Sequence, residues 1–85
     1  MATKLRPTRL SWRVIDDEVV VLDLQREEYF TLNAAGAAVW HLLVDGATMD
    51  ELADVLMARF DVDADAAARD ADAFVASLRE RNLLA

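Results

Sequence analysis

The hydrophobic period of this chain changes once, at Asn33, and that switch limits the folds open to it. Up to Leu32 the apolar residues come in short β-branched and aromatic runs, the signature of strands. Ser11–Ile15 is the first run and Glu18–Asp23 the second, with Asp16-Asp17 between them as a turn. The polar stretch Leu24-Gln25-Arg26-Glu27 leads to a third run, Glu28–Leu32. Connections this short favour an antiparallel meander, which three strands sustain only when something packs on one face.

Beyond Asn33 the apolar residues recur at helical spacing. Asn33 is a suitable N-cap, and Gly36, Val39, Trp40 and Leu43 fall at i, i+3, i+4 and i+7. Asp45-Gly46 ends this helix, with Gly46 suited to a left-handed terminal position. Thr48 and Glu51 form a capping box for a second helix, whose stripe is Met49, Leu52, Ala53, Leu56 and Phe60. Asp63 can cap a third, with Ala67, Ala71, Phe74, Val75 and Leu78 as its stripe. Arg79 and Arg81 suit the negative end of its dipole, and Asn82 the residue just past it. The expected fold is a small α+β domain of winged-helix-like order, three antiparallel strands followed by three helices. Phe30 and Leu32 are expected to face the helices, and Tyr29 and Thr31 the other side of the sheet.

At 85 residues the chain suits one domain, and 55% hydrophobic residues give it a core. The expected division is a flexible basic arm over 1–9, holding Lys4, Arg6 and Arg9, and a single folded domain over 10–85. No run approaches the roughly 20 apolar residues of a membrane span, and no apolar stretch follows the basic N-terminus as in a signal peptide. Absence of Cys excludes disulfides, thiolate zinc sites and a Cys nucleophile, and fits a reducing cytoplasm.

Catalytic groups do not gather anywhere in the sequence. His41 is the single histidine and has no sequence-local partner; Ser11 and Ser77 lie in no nucleophile motif. Gly36 and Gly46 are the two glycines, so there is no phosphate loop, and close packing explains Gly36 more simply. Asp61, Asp63, Asp65 and Asp72 imitate part of a calcium loop. Ala66 stands where its sharp turn needs Gly, however, and helix capping accounts for the acids. The expectation is therefore no enzyme, no metal and no cofactor. Net charge is −7, and residues 33–85 hold 4 basic and 10 acidic side chains. A third helix carrying Asp65, Asp70, Asp72 and Glu80 would repel the phosphates that a winged helix normally grips. Nucleic-acid binding then rests on the basic arm alone, and self-pairing of an exposed strand is the other rival.

What the architecture offers is an edge. A third strand at the rim of a meander leaves backbone groups unpaired, and an extended peptide can join it as a further strand. Glu28, Tyr29, Phe30, Thr31 and Leu32 would form one wall of the resulting groove. Arg69, Asp72, Ala73, Ala76 and Arg79 of the third helix would form the other, with the alanines leaving room for guest side chains.

The run Tyr29-Phe30-Thr31-Leu32-Asn33, followed by Gly36, Val39-Trp40, Leu43 and Asp45-Gly46-Ala47-Thr48, resembles the PqqD-like family. Phe60-Asp61-Val62-Asp63, Asp70, Phe74, Leu78 and Asn82-Leu83-Leu84 continue the likeness, which spans residues 10–84. The resemblance implies a recognition element that binds the leader of a ribosomally made precursor peptide and presents its core segment to modifying enzymes. The leader would lie as a strand against the third strand, in the groove with the third helix. Val21-Leu22-Asp23 and Gly36-Ala37-Ala38-Val39-Trp40 look most like the free-standing leader-binding branch of lasso-peptide biosynthesis. That branch implies a cysteine-protease-type leader peptidase, an ATP-dependent cyclase and a leader with a Tyr-x-x-Pro element. The quinone-cofactor branch of the family is the alternative. The chain departs from the family pattern at Asn82, where Gly is usual; Asn tolerates the same backbone.

Overall fold

A computed structural model describes residues 2–85. Its elements are β1 (Leu10–Ile15), β2 (Glu18–Asp23), β3 (Glu28–Leu32), α1 (Ala34–Asp45), α2 (Met49–Arg59) and α3 (Ala64–Glu80), preceded by a single 3-10 turn at Pro7–Arg9. The strands form one antiparallel sheet in the order β1-β2-β3, so β2 is interior and β1 and β3 are edges. This is the α+β architecture expected from the period switch.

Register follows from the turns. Ile15 pairs with Glu18 across a two-residue loop, with Asp16 at φ 57° as tight hairpins require. On β2, Val19, Val21 and Asp23 point inward and are buried, while Glu18 and Leu22 are exposed on the other face. Val19 pairs with Leu32 and Val21 with Phe30, so β3 sends Phe30 and Leu32 to the same inner face.

Helix α1 covers that face. Val39, Trp40 and Leu43 are buried on it, Trp40 with no exposed surface, and the Trp12 ring meets Trp40 edge-on at 6.1 Å. The expected caps form. Asn33 Oδ1 accepts from the Gly36 N–H at 3.0 Å, Asp63 Oδ1 accepts from Ala66 at 2.8 Å, and Thr48 and Glu51 complete the capping box. Gly46 has the positive φ expected of it, 102°, but its ψ of 136° is extended rather than helical.

Helix α3 ends in a Schellman motif. The Leu83 N–H donates to Leu78 O at 3.0 Å and the Asn82 N–H to Arg79 O at 3.0 Å, with Asn82 at φ 61°. Leu78 and Leu83 are buried beside this turn, as that motif's apolar contact demands.

The N-terminal segment corrects the expected arm. Met1 lies outside the described residues, but Thr3 exchanges two backbone hydrogen bonds with Ala47, at 2.6 and 2.9 Å. Leu5 donates to Leu43 O at 3.0 Å, Arg6 donates to Leu83 O at 2.8 Å, and Lys4 O accepts from Ala85 at 2.8 Å. Arg6 Nε also donates to Leu84 O. Residues 3–6 therefore stitch the α1–α2 corner to the C-terminal tail, and Leu5 is 3% exposed within the core. The basic side chains suggested a solvated arm; the backbone pairs and Leu5 make it part of the domain. Leu5→Ala should lower the unfolding free energy in urea by about 2–4 kcal/mol, whereas exposed Lys4→Ala should change it by less than about 0.5 kcal/mol. Asn82→Gly should raise stability slightly and Asn82→Ala lower it by about 1 kcal/mol, read from the same melts.

Candidate peptide-binding edge

The β3 edge is defined by which backbone groups β2 leaves unused. Beyond the end of β2, the Leu24 N–H donates to Arg9 O at 3.0 Å, so even-numbered positions of this strand face β1. The hairpin pair Ile15–Glu18 has the same parity. Val19, Val21 and Asp23 therefore bond β3, through Leu32, Phe30 and Glu28. Tyr29 and Thr31 are left with N–H and C=O directed away from the sheet. Among the described residues no strand or isolated bridge occupies that side.

The turn before β3 fixes the lower end of this edge. Asp23, 1% exposed, accepts from the Gln25 and Arg26 N–H groups through Oδ1, both at 3.1 Å. Arg26 Nη2 then donates to Glu80 O, the last carbonyl of α3, at 3.1 Å. Arg81 lies over the Phe30 ring with its guanidinium carbon 4.4 Å from the centroid. These two contacts tie the C-terminal end of α3 to the start of β3.

The other end opens into a pocket of about 500 Å³ beside Thr31 and Leu32. Ala35, Gly36 and Val39 of α1, Leu56 of α2 and Phe74 of α3 supply its mostly apolar wall. Asn33 lines it too, with its Oδ1 committed to the helix cap. The charged lining residues are Glu18 and Asp70. Gly36 allows a close junction: a Cβ there would sit 3.3 Å from Phe74 Cε1 and 3.4 Å from Leu32 Cβ, so either neighbour would have to give by a few tenths of an ångström. The close approach expected of this glycine is real, and its partners are a strand residue and a residue of α3.

The predicted residues divide accordingly. Phe30 and Leu32 are half-buried on the inner face; Glu28, Tyr29 and Thr31 are exposed, Tyr29 by 75%. The Tyr29 side chain thus stands on the solvent face, and its contribution to the edge is backbone. Of the expected helical wall, Arg69, Asp72, Ala73, Ala76 and Arg79 are all exposed and none lines the pocket. At about 100° per residue, Asp72 and Arg79 project on the far side of the buried stripe from Asp70 and Phe74. Ala73 lies on the outer flank beyond those two, and Arg69 and Ala76 lie on the back of the helix, opposite the buried stripe. The inner wall is Asp70, Phe74 and, near the closed end, Arg81, at spacings of four and seven residues. Phe74 had been grouped with the core stripe; its position at the margin of that stripe was the available signal.

The groups considered for chemistry do not converge. Ser11, His41 and Ser77 are exposed, and His41 sits against Trp12, ring centroids 5.5 Å apart. His41 borders a smaller pocket of about 300 Å³ with Val14, Asp17, Arg59 and Phe60. Asp63 caps α3, and Asp65 and Asp72 lie within that helix, so the calcium-loop pattern has no loop to form. Among the described residues no group of three or more His, Cys, Asp and Glu could hold a metal ion, and no helix is long and apolar enough to cross a membrane.

Comparison with known proteins gives this geometry a family. A structure described as TbiB1 in complex with the TbiA(beta) leader peptide is 37% identical, with a TM-score of 0.85 over 95% of this chain and 93% of that one. A lasso peptide synthetase B1 complexed with the leader peptide is 32% identical, with a TM-score of 0.83 over 98% and 96% of the two chains. No curated protein matched. The model for the family described as coenzyme PQQ synthesis protein D (PqqD) matches residues 18–84, and the chain belongs to the PqqD family.

Proposed function

We propose that this protein binds the leader segment of a ribosomally made precursor peptide by strand addition to β3. The observation that carries the reading is the vacant edge at Tyr29 and Thr31, placed beside an apolar pocket. Both structures compared above are complexes with leader peptides, at 37% and 32% identity, which supports a leader as the guest here.

A guest strand beside β3 would exchange backbone hydrogen bonds with Tyr29 and Thr31. Every second guest side chain would turn inward. There it would meet Leu32 and Phe74, while its outward side chains would run along the solvent face near Tyr29. Ala73, next to Phe74 on the outer flank of α3, keeps the rim low. Arg69, Asp72, Ala76 and Arg79 are left for contacts outside the pocket. The protein then acts without catalysis of its own. It raises the local concentration of the tethered core peptide at a cysteine-protease-type leader peptidase and an ATP-dependent cyclase. Such delivery takes place in the cytoplasm, as part of lasso-peptide maturation.

The family model is described by coenzyme PQQ synthesis, and that observation supports a second reading, in which the guest is the precursor of a quinone cofactor. Titration of both precursor classes separates the two: a lasso leader should bind in the micromolar to nanomolar range, and a Glu/Tyr-containing quinone precursor at least about tenfold more weakly. The reverse order would select the quinone pathway.

The edge itself is tested with paired prolines. Thr31→Pro removes an outward donor without breaking the β2–β3 ladder, and should weaken leader binding by about 2–3 kcal/mol in calorimetry. Val14→Pro makes the same change on the outer side of β1 and should leave affinity within about twofold. Equal losses, or a loss only with Val14→Pro, would move the guest to the other edge. Circular dichroism should show both variants folded.

A further inference from the structure

We infer that the pocket at the upper end of the β3–α3 groove selects guests carrying Lys or Arg within two positions of the apolar anchor residue. The inference rests on the leader-binding reading and narrows the class of peptide it admits.

The pocket has an apolar floor and an acidic mouth. Leu32, Leu56 and Phe74 would receive an aliphatic or aromatic side chain. Glu18, at the start of β2, and Asp70, one turn before Phe74 on α3, both line it, and the lining contains no Lys or Arg to balance them. Both residues are exposed, so neither is consumed by the core. Two acidic residues in the lining of one pocket give it a negative potential, which the chain's net charge of −7 reinforces. A guest with Asp or Glu at this point would meet like charge on both walls. Lys or Arg would lay its methylene stem along the apolar wall and hold its cation between the carboxylates.

The register sharpens the placement. Thr31 is the last β3 residue with outward backbone groups, and the pocket lies beside it. Inward guest side chains are spaced two residues apart, about 6.5–7 Å along the strand. The anchor and the cation are therefore either neighbours on opposite faces or successive residues on the inner face. At the other end of the groove Arg81 lies over Phe30 and Arg26 donates to Glu80 O, so cations stand near the acidic Glu28 there, whereas the pocket lining holds none.

A randomised 12-residue peptide library displayed on phage and selected on the full chain tests this. Wild-type protein should enrich peptides with an apolar residue and a Lys or Arg within two positions of it. The Glu18→Lys/Asp70→Lys double variant, altered only at exposed positions and checked by circular dichroism, should enrich Asp or Glu there instead. For individual wild-type-selected peptides, Glu18→Gln/Asp70→Asn should raise Kd about five- to twentyfold in fluorescence polarisation at low salt. The difference should shrink at 0.5 M NaCl. Apolar-anchored peptides without charge bias, selected equally by wild type and the reversed variant, would overturn the inference while leaving strand addition intact. Selected peptides whose binding survives Thr31→Pro, or a selection that enriches no peptide, would overturn the leader-binding reading and this inference with it.

Discussion

The structure depends on β2 being the only interior strand of a one-sided sheet. Its inward residues Val19 and Val21 have no exposed surface, and they acquire a core only because α1 lays Val39, Trp40 and Leu43 across them. Everything after Asn33 serves that cover. The capped start of α1 follows β3 directly, so the helix must turn back over the sheet. Its own outer side is in turn covered by α2, with α3 packed on α2. Among the described residues no further element covers the edges, and both β1 and β3 stay open at the rim of the sheet.

The two edges are not equivalent. β1 borders a pocket of about 300 Å³ where Asp16, Asp17, His41 and Arg59 stand beside Val14, Phe60 and three alanines of α1. β3 borders one of about 500 Å³ whose floor is Leu32, Val39, Leu56 and Phe74. Backbone hydrogen bonds are available at either edge, and they carry little selectivity; pockets for alternate side chains provide it. The distance between β3 and α3 is also fixed, through Arg26 on Glu80 O and Arg81 on Phe30. On the proposed reading, a groove held open in this way would spare a guest peptide the energy of parting the walls, leaving chiefly the cost of ordering the peptide.

Much of this was legible before the structure because local rules and tertiary packing agree. β2 and β3 fall on the residues that their apolar runs mark, and Asn33, Thr48 and Asp63 cap the helices they precede. The expectations for the N-terminus and for the α3 wall both concern residues whose neighbours are distant in sequence. Lys4, Arg6 and Arg9 gave the N-terminus the composition of a solvated arm. Its pairing with Ala47, Leu83 and Ala85 depends on where two other chain segments arrive. The helical wall was placed on Arg69, Asp72, Ala73, Ala76 and Arg79 from small size and polarity. Which face of α3 borders β3 follows from its packing on α2, with Phe74 coming close to α1 at Gly36. Periodicity identifies the buried stripe of a helix but does not say which margin of it borders a groove.

That N-terminal stitch also bears on how the site keeps its shape. Residues 3–6 bind the α1–α2 corner on one side and the residues after α3 on the other, so they fix the C-terminal end of α3 from behind. The Schellman turn at Asn82 directs Leu83 and Leu84 into the core, where Leu83 O accepts from the Arg6 N–H and Leu84 O from Arg6 Nε. Arg26 and Arg81 hold the same helix end from the front. The C-terminal end of α3 is thus clamped from two sides, whereas Asp70 lies ten residues before its end, beside the open pocket. A guest strand would therefore meet a groove whose floor and closed end are preorganised by the fold. The part left to respond to the guest's chemistry is the acidic mouth.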